Sequence, residues 1–300
     1  MIYVRANTDW LAKSIYGVGF HWTVHSKPRH GPAKPFDKAV DDFDVKAFLS
    51  MVEETGAKYI IFTSTHAIHW LAGPNAVVDR IMPGRTCKRD LLMELAVGLS
   101  QRNIRLIFYY NHSCNGKDDP EWQKACGFMG GKELFFKNLC DILTEMGTHY
   151  AEYLHGYWFD SSYTIARFAP PWHKITLAVK SGNPDRIVCY NSYLNNTLLH
   201  TEEQDYCAGE LNEPLLPEAR YSPNGLQWHG YICLDEKSWV HNQMDTEIPP
   251  PRFSDKQVIE YVKAVALKKA AITFNLSVYQ DGTVSPASIA QLRKIRRAVR

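Results

Sequence analysis

The stretch His155-Gly156-Tyr157-Trp158-Phe159-Asp160 reads as a short apolar strand that stops on a carboxylate, followed by the polar Ser161 and Ser162. An aspartate at the carboxyl end of a buried strand is where barrel enzymes carry catalytic groups. The same residue also suits a turn or a helix cap, since Asp readily begins a loop. Whether this strand is one of a repeating series therefore decides the fold.

On its N-terminal side, Arg105 to Tyr110 is an apolar strand, followed by a helical pattern of Phe135, Leu139, Ile142, Leu143 and Met146 that Gly147 is expected to end. Further back, Lys58 to Ser64 is a strand, Tyr16 to Trp22 is another, and Asp44 caps a helix carrying Val45, Phe48, Leu49 and Val52 with Gly56 as its stop. Asp90 opens a helix with Leu92, Leu95, Ala96 and Leu99 on one face. On the C-terminal side, strands are expected at Arg186 to Tyr190, Trp228 to Leu234 and Ile272 to Leu276, with a short one at Asp205 to Glu210 where the pattern is poor. Ser254 and Gln257 form a capping box for a helix presenting Ile259, Val262, Ala266 and Lys269. Pro286 starts a last helix with Ile289, Leu292, Ile295 and Val299.

Eight strands, mostly separated by helices, predict an α/β fold: one (β/α)8 TIM-like barrel over residues 1–300, irregular around strands five and six, with no C-terminal β-sandwich. An open doubly wound sheet would carry a glycine-rich turn after the first strand, and none is present. The net charge of +2 points to neither nucleic acid nor a membrane surface, and no run of about 18 apolar residues occurs. Seven cysteines, none in a CxxC pair, suggest neither a disulfide framework nor a zinc ribbon. A reducing, cytoplasmic setting is the default expectation, with export open if a leader was removed. With 45 % hydrophobic residues, eight tryptophans and sixteen tyrosines, the chain suits both a large core and a site where flat rings pack on sugar faces.

A barrel gathers the residues ending its strands around one mouth. The expected ring is His21, His66, Asn111, Asp160, Asn191, Glu210, His229 and Asn275. Two carboxylates suffice for glycosidic hydrolysis, one ionised and one protonated, with no cofactor and no metal. Histidines and asparagines can hydrogen-bond sugar hydroxyls.

Several of these segments, in order along nearly the whole chain, resemble the α-L-fucosidases of glycoside hydrolase family 29. They are Tyr16 to Trp22, Ala57 to His66, Lys88-Arg89-Asp90-Leu91, Phe108 to Tyr110, Trp158-Phe159-Asp160, Asp205 to Glu210, Trp228 with Ser238-Trp239, and Asn275 with Asp281-Gly282-Thr283. The resemblance implies a retaining glycosidase acting on a terminal α-L-fucosyl or related sugar, with Asp160 as nucleophile and Glu210 as acid/base. It also implies sugar contacts from His21, Trp22, His66, His69, Trp158, Asn111, Trp228 and His229.

The chain departs from that family's pattern at several positions. Ala67 and Ile68 stand where a second histidine and an aspartate are usual, and His69 is a candidate substitute. A basic loop with Lys27, Arg29, His30 and Lys34 replaces a tryptophan-glutamate-tryptophan, and is a candidate reader of a sulfate or uronate. Asn191-Ser192-Tyr193 stands where an arginine often follows strand five. Glu213 and Glu218 rival Glu210 for the acid. A metal-dependent hydrolase using His21, His25, His66 and His69, and a non-catalytic carbohydrate-binding barrel, are the other readings. A homo-oligomer whose neighbour covers the barrel rim is a further expectation.

Overall fold

The computed structural model describes residues 3–194 and 198–299. Eight parallel strands form one sheet: β1 (Tyr16–Phe20), β2 (Tyr59–Thr65), β3 (Arg105–Asn111), β4 (Leu154–Asp160), β5 (Ile187–Tyr190), β6 (Glu210–Leu211), β7 (His229–Cys233) and β8 (Ala271–Leu276). Their order is β5-β4-β3-β2-β1-β8-β7-β6, so the sheet curls round from β5 to β6 as a (β/α)8 barrel. No helix of the described residues is long and apolar enough to cross a membrane.

The irregularity expected around strands five and six lies where the barrel closes. Among the described residues β5 and β6 share no ladder. Asp205 bridges the seam instead: its N–H donates to the Val188 carbonyl at 2.9 Å, and its carboxylate accepts from Val188 N–H at 2.9 Å. That carboxylate also accepts from Tyr3 Oη, Ala6 N–H and Lys180 Nζ, so the buried charge is fully paired. The sixth strand is correspondingly short and begins at Glu210, at the end of the stretch where it was expected.

Side-chain alternation along each strand divides the core in two. Tyr59, Ile61, Ile107, Tyr109, Trp158, Cys189 and Tyr231 fill the barrel interior. Phe20, Phe62, Phe108, Tyr110, Tyr157, Phe159 and Ile232 face the surrounding helices. Two glycines of β1 make room inside: a Cβ on Gly17 would lie 2.4 Å from the Tyr59 ring, and one on Gly19 2.1 Å from Tyr231 Oη.

Helix caps follow the sequence closely. Asp44 and Asp90 accept from Ala47 and Met93 N–H, Gly56 is left-handed at φ +78, and the Ser254–Gln257 capping box is formed. Two expectations are corrected. Gly147 lies inside the helix Lys132–Tyr150, where the missing side chain lets the Ser181 and Ala178 carbonyls approach. The helix Asp255–Leu267 buries Val258, Tyr261, Val262 and Val265, a stripe turned away from the expected Ala266 and Lys269.

Candidate active site

Asp160 ends β4 directly opposite Asn111 at the end of β3. Its Oδ2 accepts from Tyr109 Oη at 2.5 Å, Asn111 Nδ2 at 3.0 Å and Ser161 Oγ at 3.4 Å. Its Oδ1 accepts from Asn191 Nδ2 at 3.0 Å, its one partner among the described residues. The surround consists of donors, which suits an ionised, acceptor-only carboxylate. Ser161 turns left-handed at φ 56 immediately after it, and His112 Nε2 meets the Ser161 carbonyl at 3.0 Å, so the turn is held from below.

Glu210 reaches the same place from β6. Gly209 precedes it at φ +62, with its carbonyl accepting from Tyr231 N–H at 2.6 Å. The Glu210 carboxyl accepts from Asn191 Nδ2 at 2.7 Å. One amide nitrogen, with its two hydrogens, therefore spans both carboxyl groups. The nearest oxygens of Asp160 and Glu210 are no farther apart than those 3.0 and 2.7 Å bonds laid end to end. Burial, and then repulsion from Asp160, push the Glu210 carboxyl up to about 7, while the Asn191 hydrogen bond opposes the rise. Glu213 pairs with Arg252 in solvent and Glu218 is exposed, so neither rival carboxylate joins the cavity.

Imidazoles line the β1–β2 side. His21 Nδ1 lies 2.8 Å from Asn275 Oδ1, and the Asn275 amide is oriented by its own Nδ2 donating to the Trp239 carbonyl. An amide oxygen only accepts, so His21 carries its proton on Nδ1 and presents Nε2 as an acceptor. Burial holds His21 neutral, pulling it down to about 3. His66 packs beside His21 and Tyr109, is lowered to about 4 by burial, and keeps a buried Nδ1 without a hydrogen-bond partner. Asn191 Oδ1 is a second buried atom in that condition. Unpaired buried polar atoms in a cleft are places for a ligand hydroxyl or water.

Other expected contacts lie elsewhere. Trp22 points outward, packed on Phe36 and Phe43 with its indole N–H on the Gln280 carbonyl. His69 is fully buried in the outer shell, stacked on Trp122 at 3.8 Å with Nε2 near Tyr110 Oη. It follows the outward-facing side of the sheet, so it does not replace the missing second histidine and does not converge with His21, His25 and His66 as a metal set. His229 begins β7 two residues before Tyr231, which is level with Glu210, and Trp228 precedes it, so both lie below the mouth. His229 is spent on structure, with Nδ1 near the Cys207 and Ala208 carbonyls and Nε2 2.8 Å from Thr273 Oγ1. Trp158 lies beneath the carboxylates, stacked on Tyr109, as floor to the site. Asn111 holds Asp160. In the basic loop, Arg29 and Lys34 are already paired with Glu247 and Asp42.

Tyr109, Trp239 and Tyr231 belong to the site but were absent from the expected contacts. Tyr109 was legible by alternation, two residues before Asn111 on the same face of the strand. Trp239 comes from a loop with no periodicity, packing against His21 at 5.2 Å and Tyr231 at 4.9 Å.

Solved structures of similar shape include glycosidases. An α-L-fucosidase from Lactobacillus casei in complex with its α-L-fucose product is 16 % identical, covering 97 % of this chain and 98 % of its own at a TM-score of 0.69. An endo-fucoidan hydrolase of glycoside hydrolase family 107 is 14 % identical, with 98 % and 93 % covered and a TM-score of 0.72. A family 29 α-L-fucosidase from Bacteroides thetaiotaomicron is 15 % identical, with 98 % and 74 % covered and a TM-score of 0.66. No curated protein sequence matches. The family profile described as Alpha-L-fucosidase matches residues 33–298. With two carboxyl groups joined at the barrel mouth and that profile over most of its length, the chain is a glycoside hydrolase and belongs to the α-L-fucosidase family.

Proposed function

We propose that the protein is a retaining, exo-acting glycosidase that releases a terminal α-L-fucosyl residue or a closely related α-L-sugar. The observation that carries this is the Asn191 amide nitrogen donating to Asp160 and Glu210 together. Two carboxyl groups sharing one amide nitrogen suit the close pairing, about 5–5.5 Å, that double displacement requires. Asp160 Oδ2 is occupied by three donors, so Oδ1 is the oxygen that attacks the anomeric carbon. Glu210, raised to about 7, gives its proton to the departing glycosidic oxygen as that bond breaks. In the second half the Glu210 carboxylate takes a proton from water, the hydroxide oxygen bonds to the anomeric carbon, and Asp160 leaves. His21 Nε2, His66 Nδ1 and Asn191 Oδ1 are acceptors or donors for the sugar hydroxyls.

The test is a 2-fluoro-α-L-fucosyl fluoride. Mass spectrometry of the inactivated protein is expected to find the sugar on the peptide containing Asp160. Absence of an adduct, with turnover unaltered in Asp160→Ala, would remove Asp160 as the nucleophile and with it the double-displacement reading. The α-L-galactoside differs only by a hydroxyl where fucose has a methyl, and is expected to be cleaved as well, within about a hundredfold of the fucoside.

A further inference from the structure

Beyond the two carboxyl groups, the loops after β3, β4 and β5 bring an aromatic pair to the mouth. Tyr163 lies three residues past Asp160 in the short helix Ser162–Ala166, and Tyr193 lies two residues past Asn191. Their rings meet edge to face, with centroids 5.4 Å apart and planes at 76°. Asn115, from the loop after β3, donates from Nδ2 to Tyr163 Oη at 3.4 Å. The site's other aromatic wall, Trp239 with His21, belongs to the β1 and β7 side. The mouth therefore has two walls, and Asp160, Asn191 and Glu210 lie with the tyrosine pair.

Two features of Tyr193 are costly without a ligand. The residue is 60 % exposed. Its backbone is left-handed at φ 80, a conformation that bulky residues rarely adopt. Strain of this kind gathers where a side chain must be aimed.

We infer that Tyr163 and Tyr193 form the leaving-group subsite, a platform that packs against the apolar face of a neutral pyranose attached to the departing oxygen. The inference rests on the glycosidase reading above. A tyrosine ring offers a flat apolar face to axial C–H groups and a hydroxyl to the ring substituents, while carrying no charge to select an anionic sugar. Its partner in edge-to-face contact holds that face in one orientation. The leaving group is thereby placed with its glycosidic oxygen toward Glu210, which must protonate it.

The experiment compares donors that differ only in what departs. Wild-type protein and the variants Tyr193→Ala, Tyr193→Phe and Tyr163→Ala are assayed with α-L-fucosyl fluoride and with α-L-fucosyl-glucose disaccharides covering every linkage. Fluoride occupies no subsite and needs no proton, so it reports the sugar pocket and Asp160 alone. The ratio of kcat/KM for the best disaccharide to that for the fluoride is expected to fall about tenfold in Tyr193→Ala, mainly through KM, and to be restored in Tyr193→Phe. A ratio that does not move in Tyr193→Ala and Tyr163→Ala would overturn the subsite, as would a wild-type protein that cleaves the fluoride but none of the disaccharides. A wild-type protein that cleaves neither donor would remove the glycosidase reading and the subsite with it.

Discussion

Gly209 and His229 touch backbone to backbone: a Cβ on Gly209 would lie 1.8 Å from the His229 carbonyl oxygen. This contact, with the left-handed φ of +62 at Gly209, sets the direction in which Glu210 leaves β6. Gly209→Ala must therefore move rigid backbone as well as adopt a strained conformation. We expect a loss of more than about 2 kcal/mol in urea denaturation, and a kcat loss that persists at temperatures where the variant is still folded.

Glu210→Gln keeps the shape of the acid and removes its proton. Substrates with poor leaving groups, such as disaccharides, are expected to lose about 10²–10⁴ in kcat/KM, whereas a fluoride donor, which needs no protonation, should lose far less in its first step. Equal losses for both donors would assign the acid to another group.

The pH profile follows from the same residue. In the proposed role Glu210 is protonated for glycosidic cleavage, and burial raises its carboxyl to about 7, so kcat/KM for disaccharides is expected to fall as pH rises through about 7. The Asn191 hydrogen bond lowers that value. Asn191→Ala should then displace the basic limb to higher pH, while reducing the maximum because Asp160 Oδ1 loses its donor. A basic limb that moves to lower pH would contradict the bridging role.

Tyr109→Phe removes one hydroxyl from Asp160 Oδ2 and leaves the stacked ring on Trp158 in place. A hydrogen bond to a charged group contributes about 1.5–3 kcal/mol, so kcat/KM should fall by about ten- to a hundredfold. Near-wild-type thermal stability alongside that loss would separate positioning of the nucleophile from damage to the core.

Local sequence carried the barrel, because each strand and cap is written in neighbouring residues: apolar runs for β2, β3 and β4, Asp44 and Asp90 as caps, Gly56 as a stop. It also carried the two carboxylates, since a strand ending on Asp160 and a loop ending on Glu210 are short-range patterns. The facing of individual side chains was beyond it. Trp22 and His69 follow strands by a residue or more, and their turn toward the helices depends on Phe43, Trp122 and Tyr110 from distant segments. Trp228 and His229 show a different limit, because the register that sets them below Tyr231 and Glu210 comes from pairing with another strand.

Chain sequence by itself singled out Asp160 and Glu210 as candidate carboxylates, because ionisable groups at the edges of strands are local patterns. Only the folded chain decided that the two meet. The seam between β5 and β6, closed by Asp205 rather than by a ladder, brings Asn191 and Glu210 together, and there one amide can hold two carboxyl groups that would otherwise repel. Burial at that spot, a property of the whole barrel, is what pushes the Glu210 carboxyl up toward about 7.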